Sequence, residues 1–133
     1  MTATITAALL MAENNYTTSD ITAANLEYII DNAINHVNLA AGTDISNMTS
    51  PGTGTGTVSM TGDESAAVKA LSILMLKAYL DRGPNTQIGG LNVSTLIADP
   101  QYDLYSKLYT EAITKLTLTS TTSNLARTMV IVK

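Results

Sequence analysis

Apolar residues recur in steps of three and four along most of this chain, and the places where that rhythm fails mark its loops. Between Ile21 and Ala41 they fall at Leu26, Ile29, Ile30, Ala33, Ile34, Val37, Ala40 and Ala41, which is one face of a helix. Thr18, Ser19 and Asp20 offer N-cap oxygens ahead of it, and Gly42 is a natural C′ residue behind it. Upstream, Thr4 to Glu13 reads as a short helix ended by Asn14-Asn15. A third helix opens at Thr61-Gly62-Asp63-Glu64 and runs to Arg82. There the Thr61 hydroxyl and the Glu64 carboxylate can each take a backbone N–H of the other's residue, a capping box. Val68, Leu71, Leu74, Met75, Ala78 and Tyr79 line one side of this helix, and Ile73, Leu76 and Leu80 make its other sides apolar too. A helix of that kind needs cover nearly all round, and a second protomer is one source of it. Arg82-Gly83-Pro84 stops it.

Asp99-Pro100 opens the last helix, which is expected to reach Leu116. Its apolar face is Tyr102, Tyr105, Leu108, Tyr109, Ala112, Ile113 and Leu116. Asp103 with Lys107 and Glu111 with Lys115 stand four apart in the favourable acid-first order. Tyr102, Tyr105 and Tyr109 form a stripe that suits core packing, or a subunit interface in which rigid rings carry polar tips.

Three segments lack the helical rhythm. Residues 43–62 are dominated by Gly, Thr, Ser and Pro and read as a long loop or a loose hairpin around Pro51–Gly56. A loop of that length points to a partner-binding segment that orders on assembly. Residues 86–97, with Gly89-Gly90 between two short arms, read as a small β-hairpin. Thr117–Asn124 is a polar spacer, and Leu125–Lys133 ends in the β-branched run Met129, Val130, Ile131, Val132. That tail either packs back on its own core or adds as a strand to another subunit. The expected architecture is therefore mainly α: a small bundle of about four helices with a long loop, a short hairpin and an extended C-terminal arm. Residues 1–117 form the helical domain, and 118–133 the spacer and arm.

Composition narrows the function. Charged residues are only 14% of the 133, and 21 Thr and 10 Ser make the polar surface one of hydroxyls. The net charge is −4, and the basic residues Lys69, Lys77, Arg82, Lys107, Lys115, Arg127 and Lys133 are scattered. Sequence-specific nucleic-acid binding needs a basic patch that this chain does not form, although an acidic wall lets DNA slide past. No positive charge precedes the mildly apolar residues 2–12, so no secretory signal is expected. Lys69 and Lys77 interrupt the most apolar stretch, Ala66–Leu80, so no membrane span is expected.

Candidate chemistry is sparse. There is no Cys, which excludes disulfides and thiolate sites, and the single His36 cannot make a multi-histidine zinc site. Gly52, Gly54 and Gly56 alternate with Thr but lack the spacing and the lysine of a phosphate loop. No catalytic residue, cofactor or metal ligand is expected.

The order of elements resembles that of the head–tail connector proteins of tailed viruses, the adaptor or head-completion proteins beneath the portal ring. The resemblance covers roughly residues 18–117. It lies in the helix around Leu26–Val37, the helix Ala66–Arg82 ending in Arg82-Gly83, the passage Ile88-Gly89-Gly90-Leu91-Asn92-Val93-Ser94, and Asp99-Pro100 opening a last helix. The family carries a serine after the glycines, where this chain has Asn92 or, two residues on, Ser94. The resemblance implies a structural virion protein without enzymatic activity. It implies a homo-oligomeric ring, commonly dodecameric, between the portal protein and the downstream neck, stopper or tail protein, with DNA passing through. The protein would be made in the host cytoplasm and reside in the virion neck. Leu125, Met129, Val130, Ile131 and Val132 would then bind the portal or a neighbouring subunit. Tyr102, Tyr105 and Tyr109 would lie at the subunit interface, and Ile88, Gly89, Gly90 and Leu91 in a channel or partner loop. Another neck or tail-completion role, or a non-viral helical interaction module, is the alternative.

Overall fold

A computed structural model of the chain describes residues 2–82, 97 and 100–131, with the backbone alone for 82, 101 and 119–131. The elements are β1 (Thr2–Ile5), α1 (Ala7–Glu13), α2 (Ala23–Ala41), β2 (Val58–Thr61), α3 (Gly62–Arg82), a 3₁₀ turn (Pro100–Tyr102) and α4 (Asp103–Ile131). The protein is mainly helical, as the periodicity predicts.

α3 is the centre of the molecule. It packs against α2, α4 and both strands. Val68, Leu71, Leu74, Leu76 and Ala78 are fully buried, and Ile73 and Met75 nearly so. The cover that the sequence suggested a second protomer would give is supplied by the chain's own elements. The capping box forms as read: Thr61 N donates to Glu64 Oε1 at 2.9 Å, and Glu64 N to Thr61 Oγ1 at 3.2 Å. α2 buries the expected face from Leu26 to Ala41, and Gly42 ends it with φ +70°. Its N-cap, however, is Thr22, whose hydroxyl accepts from Asn25 N at 3.2 Å. Asp20 instead closes the preceding turn, its Oδ2 accepting from Thr17 N at 2.9 Å.

Three expectations are corrected. Thr2–Ile5 is a strand, and the first helix starts only at Ala7, capped by the Thr6 hydroxyl on Leu9 N at 3.1 Å. The alternation Thr-Ala-Thr-Ile has a period of two, and its β-branched residues suit a half-buried strand. Secondly, the expected 43–62 loop ends in a strand, while the hairpin expected at 86–97 lies outside the described residues except for Ile97. β1 pairs antiparallel with β2, Thr2 opposite Thr61 and Ile5 opposite Val58, so β2 is carved from the end of the expected loop. Ile5, Val58 and Met60 face the core, while the Thr4 and Ser59 hydroxyls meet outside at 3.1 Å. Thirdly, the last helix does not stop at Leu116; its backbone stays helical to Ile131, where a spacer and an extended arm were expected. Up to Thr117 the threonine hydroxyls bond within the helix: Thr110 Oγ1 donates to Ser106 O (2.8 Å), Thr114 to Thr110 O (2.9 Å) and Thr117 to Ile113 O (2.8 Å). A hydroxyl bonded to the carbonyl four residues back is satisfied within the helix, at a slight cost to its stability.

Candidate functional site

One polar face of α2 organises the 43–57 segment. Glu27 is completely buried. Its Oε1 accepts from Gly52 N at 2.9 Å and Gly54 N at 2.8 Å, and its Oε2 from Gly56 N at 2.6 Å. The alternating glycines thus form a backbone nest whose anion is the chain's own carboxylate. One turn on, Asp31 Oδ1 accepts from Asn47 Nδ2 (2.9 Å) and Met48 N (3.1 Å), and Asn35 Oδ1 also takes Asn47 Nδ2 at 3.0 Å. Asn38 Oδ1 accepts from Ile45 N at 2.8 Å while Asn38 Nδ2 donates to Ile45 O at 2.9 Å, pairing that residue as a strand neighbour would. Thr49 N donates to Thr57 O at 2.9 Å and closes the loop's neck. Ile45 and Met48 go into the core. A segment expected to order on assembly is therefore already tied down by side chains of α2, and its Gly-Thr repeat serves the fold.

His36 lies half-buried on α2 with its ring 6.1 Å from that of Tyr109, and partial burial lowers its pKa from the ordinary histidine value. Tyr109 is buried and its hydroxyl has no hydrogen-bond partner; burial pushes its pKa up to about 12. Ser72, fully buried in α3, also has an unpartnered hydroxyl. Tyr109 and Ser72 lie in the core, and His36 packs beside Tyr109 at its edge. Replacing a buried hydroxyl that bonds nothing removes a desolvation penalty and, in mid-helix, improves propensity. Ser72→Ala is expected to raise stability by about 1 kcal/mol in urea unfolding. A loss of stability would mean that the hydroxyl has an acceptor in solution.

One open groove lies where α3 ends and α4 begins. A groove of about 400 Å³ is lined by Tyr16, Lys77, Leu80, Asp81, Tyr102 and Tyr105, with Leu104 on its wall. The Tyr102 hydroxyl donates to Asp81 Oδ2 at 2.5 Å, and the Lys77 ammonium sits 5.4 Å from the centre of the Tyr105 ring. Leu104 is 65% exposed. This end of the molecule is where the chain leaves Arg82 for the segment that carries Ile88, Gly89, Gly90 and Leu91, residues that lie outside the described ones.

Of the three stripe tyrosines, Tyr102 and Tyr109 are buried in the chain's own core and Tyr105 is half-buried against it. Tyr102 and Tyr109 thus follow the core-packing reading of the stripe and not the interface one, and Tyr102 and Tyr105 both line the groove. Leu125, Met129, Val130 and Ile131 fall on the helical backbone of α4 in place of the expected arm, and Val132 lies outside the described residues. Asp103 and Lys107 pair at 3.0 Å as the sequence suggests, while Lys115 reaches Asp63 in the first turn of α3 at 3.1 Å.

Compared with known protein families, curated proteins and solved structures, the chain finds no match. No group of three or more His, Cys, Asp or Glu among the described residues could hold a metal ion, and no described helix is long and apolar enough to cross a membrane. The groove presents aromatic rings, a cation, a carboxylate and the exposed Leu104.

Proposed function

We propose that this protein is a structural connector of the head–tail junction of a tailed virus, an adaptor that forms a ring between the portal and the tail around the DNA passage. The observation that carries this reading is the order α2, α3, the Gly-rich 83–99 passage and α4, combined with an aromatic groove at the end of the bundle from which that passage departs. The groove and the Ile88–Leu91 passage would seat the portal or the next neck protein. The low charge and net −4 suit a wall along which DNA slides without being held. The ring is homo-oligomeric, most simply a dodecamer matched to the portal, and the protein reaches the virion neck from the host cytoplasm without cofactor or catalysis.

Native mass spectrometry of the protein mixed with the portal ring of the same virus tests this directly. One copy bound per portal subunit is the expected result. Deleting Leu125–Lys133 is expected to shorten the end of α4, to leave the rest of the helical fold in place and to abolish docking. No binding by the full chain overturns the connector reading in favour of another neck position or a non-viral interaction module. Full docking by the truncated chain overturns the role of its C-terminal end.

A further inference from the structure

α4 carries one apolar face into the core and a largely exposed row beside it. Tyr105, Tyr109, Ala112, Ile113 and Leu116 turn toward α3 and the core. On the flank beside that face Leu104, Leu108 and Leu118 are 65%, 46% and 63% exposed. With Glu111 and Lys115 they follow one another in steps of four, three, four and three, the spacing of a seam between two helices. In the sequence the same steps continue through Thr122 to Leu125 and Met129.

We infer that this seam is the contact of α4 with the α4 of a second copy of this chain, running antiparallel about a two-fold axis opposite Ile113. The argument is the self-complementarity of the seam. Glu111 stands two residues before Ile113 and Lys115 two after it, while Leu108 stands five before and Leu118 five after. About that axis Glu111 faces the partner's Lys115, Lys115 faces the partner's Glu111, and each Leu108 packs on the partner's Leu118. A parallel in-register pair would instead set glutamate on glutamate and lysine on lysine, so the central charges choose the orientation. Lys115 already lies 3.1 Å from Asp63. An ammonium has three donors, and this side chain is 68% exposed, so it can keep that partner and meet a second carboxylate. The flanking Asp103 and Lys107 neutralise one another at 3.0 Å and add no net charge to the seam. A two-fold contact closes on itself, so it describes the free protein and goes beyond the portal reading, on which it does not rest.

The chain's lack of cysteine makes the register measurable. Leu108→Cys and Leu118→Cys proteins, mixed and oxidised, are expected to give the mixed disulfide in large excess over either self-linked product. Sedimentation equilibrium of the unaltered protein is expected to give a dimer of the 14.0 kDa chain. Glu111→Lys sets like charges together at both ends of the axis and is expected to weaken that dimer by at least about tenfold. Mixing it with Lys115→Glu protein restores pairing, because both contacts are then opposite in sign. Circular dichroism establishes that each variant remains folded. A monomer at all concentrations, predominant self-linking of Leu108→Cys, or no recovery on mixing overturns the assignment. None of these outcomes bears on binding to a portal ring, which is measured separately.

Discussion

Glu27→Gln is expected to destabilise the protein by about 3 kcal/mol or more, although it keeps the shape of the side chain. The carboxylate has two oxygens, and both are used: one takes the N–H of Gly52 and of Gly54, the other that of Gly56 at 2.6 Å. A glutamine amide must place its NH₂ at one of these positions. If it replaces Oε2, a donor faces the Gly56 N–H, and Gly56 is buried away from water. If it replaces Oε1, two N–H groups lose their acceptor. Hydrogen bonds to a charged group are worth about 1.5–3 kcal/mol each, and an orphaned buried donor adds its own desolvation penalty. Glu27→Leu removes all three acceptors and is expected to cost more still. Against a usual domain stability of about 5–15 kcal/mol, either change is large. Urea unfolding measures the loss, and amide exchange locates it: Gly52, Gly54 and Gly56 should lose protection while α3 keeps its own. A Glu27→Gln protein within about 1 kcal/mol of the parent would mean that the nest is held by Thr49 and Thr57 and not by the carboxylate.

Why the sequence hid this arrangement has a physical answer. Features that rest on neighbours in the chain were legible: the Thr61–Glu64 capping box, the αL end at Gly42, the buried face of α2, the Asp103–Lys107 pair. Each is a matter of a few residues and a fixed period. The glycine nest depends on an acceptor 25 to 29 residues away. On a helical wheel Glu27 falls beside the apolar face, where a carboxylate ordinarily reads as solvated. The available signal was the absence of a competing ligand chemistry: three alternating glycines with no lysine and no phosphate-loop spacing still present N–H groups that something must accept. The β1–β2 pair was hidden for the same reason, since its partners lie more than fifty residues apart, Thr4 opposite Ser59.

At α3 and at the end of α4 the sequence pattern was plain but its cause was misassigned. All-round apolarity in α3 is real, and it marks the one helix enclosed by α2, α4 and two strands of the same chain. The hydroxyl-rich run after Leu116 suggests a break because Ser and Thr compete for backbone bonds. Thr117, the first residue of that run, captures the Ile113 carbonyl of its own helix, as Thr110 and Thr114 capture carbonyls upstream of it. The groove beside Tyr105 needed the fold to bring Tyr16, Lys77 and Asp81 together from three places in the chain.

The three loop glycines should separate sharply when each is changed to alanine, because their reasons for being glycine differ. Gly54 has φ +86°, and a Cβ there meets nothing nearer than Ala23 Cβ at 4.0 Å. Its penalty is conformational alone, about 1–2 kcal/mol. Gly52 has φ +87°, and its Cβ would also run into the Tyr28 hydroxyl. Tyr28 is 49% exposed and can swing aside, so Gly52→Ala should exceed Gly54→Ala only modestly. Gly56 is not in the left-handed region, yet its Cβ would lie 2.6 Å from the Thr49 carbonyl oxygen and 3.2 Å from Glu27 Oε2. Thr49 is clasped to Thr57 by backbone and hydroxyl bonds at 2.9 and 3.1 Å, so that carbonyl cannot yield without opening the neck of the loop. Gly56→Ala must therefore displace the Glu27 carboxylate or break the clasp, and about 3 kcal/mol or more is expected, close to the loss from Glu27→Gln. The two changes act on the same hydrogen bonds, so combining Gly56→Ala with Glu27→Gln should cost much less than their sum. Additive losses in that double-mutant cycle would show that Gly56 is needed for the Thr49–Thr57 clasp alone, and that the nest around Glu27 contributes independently of it.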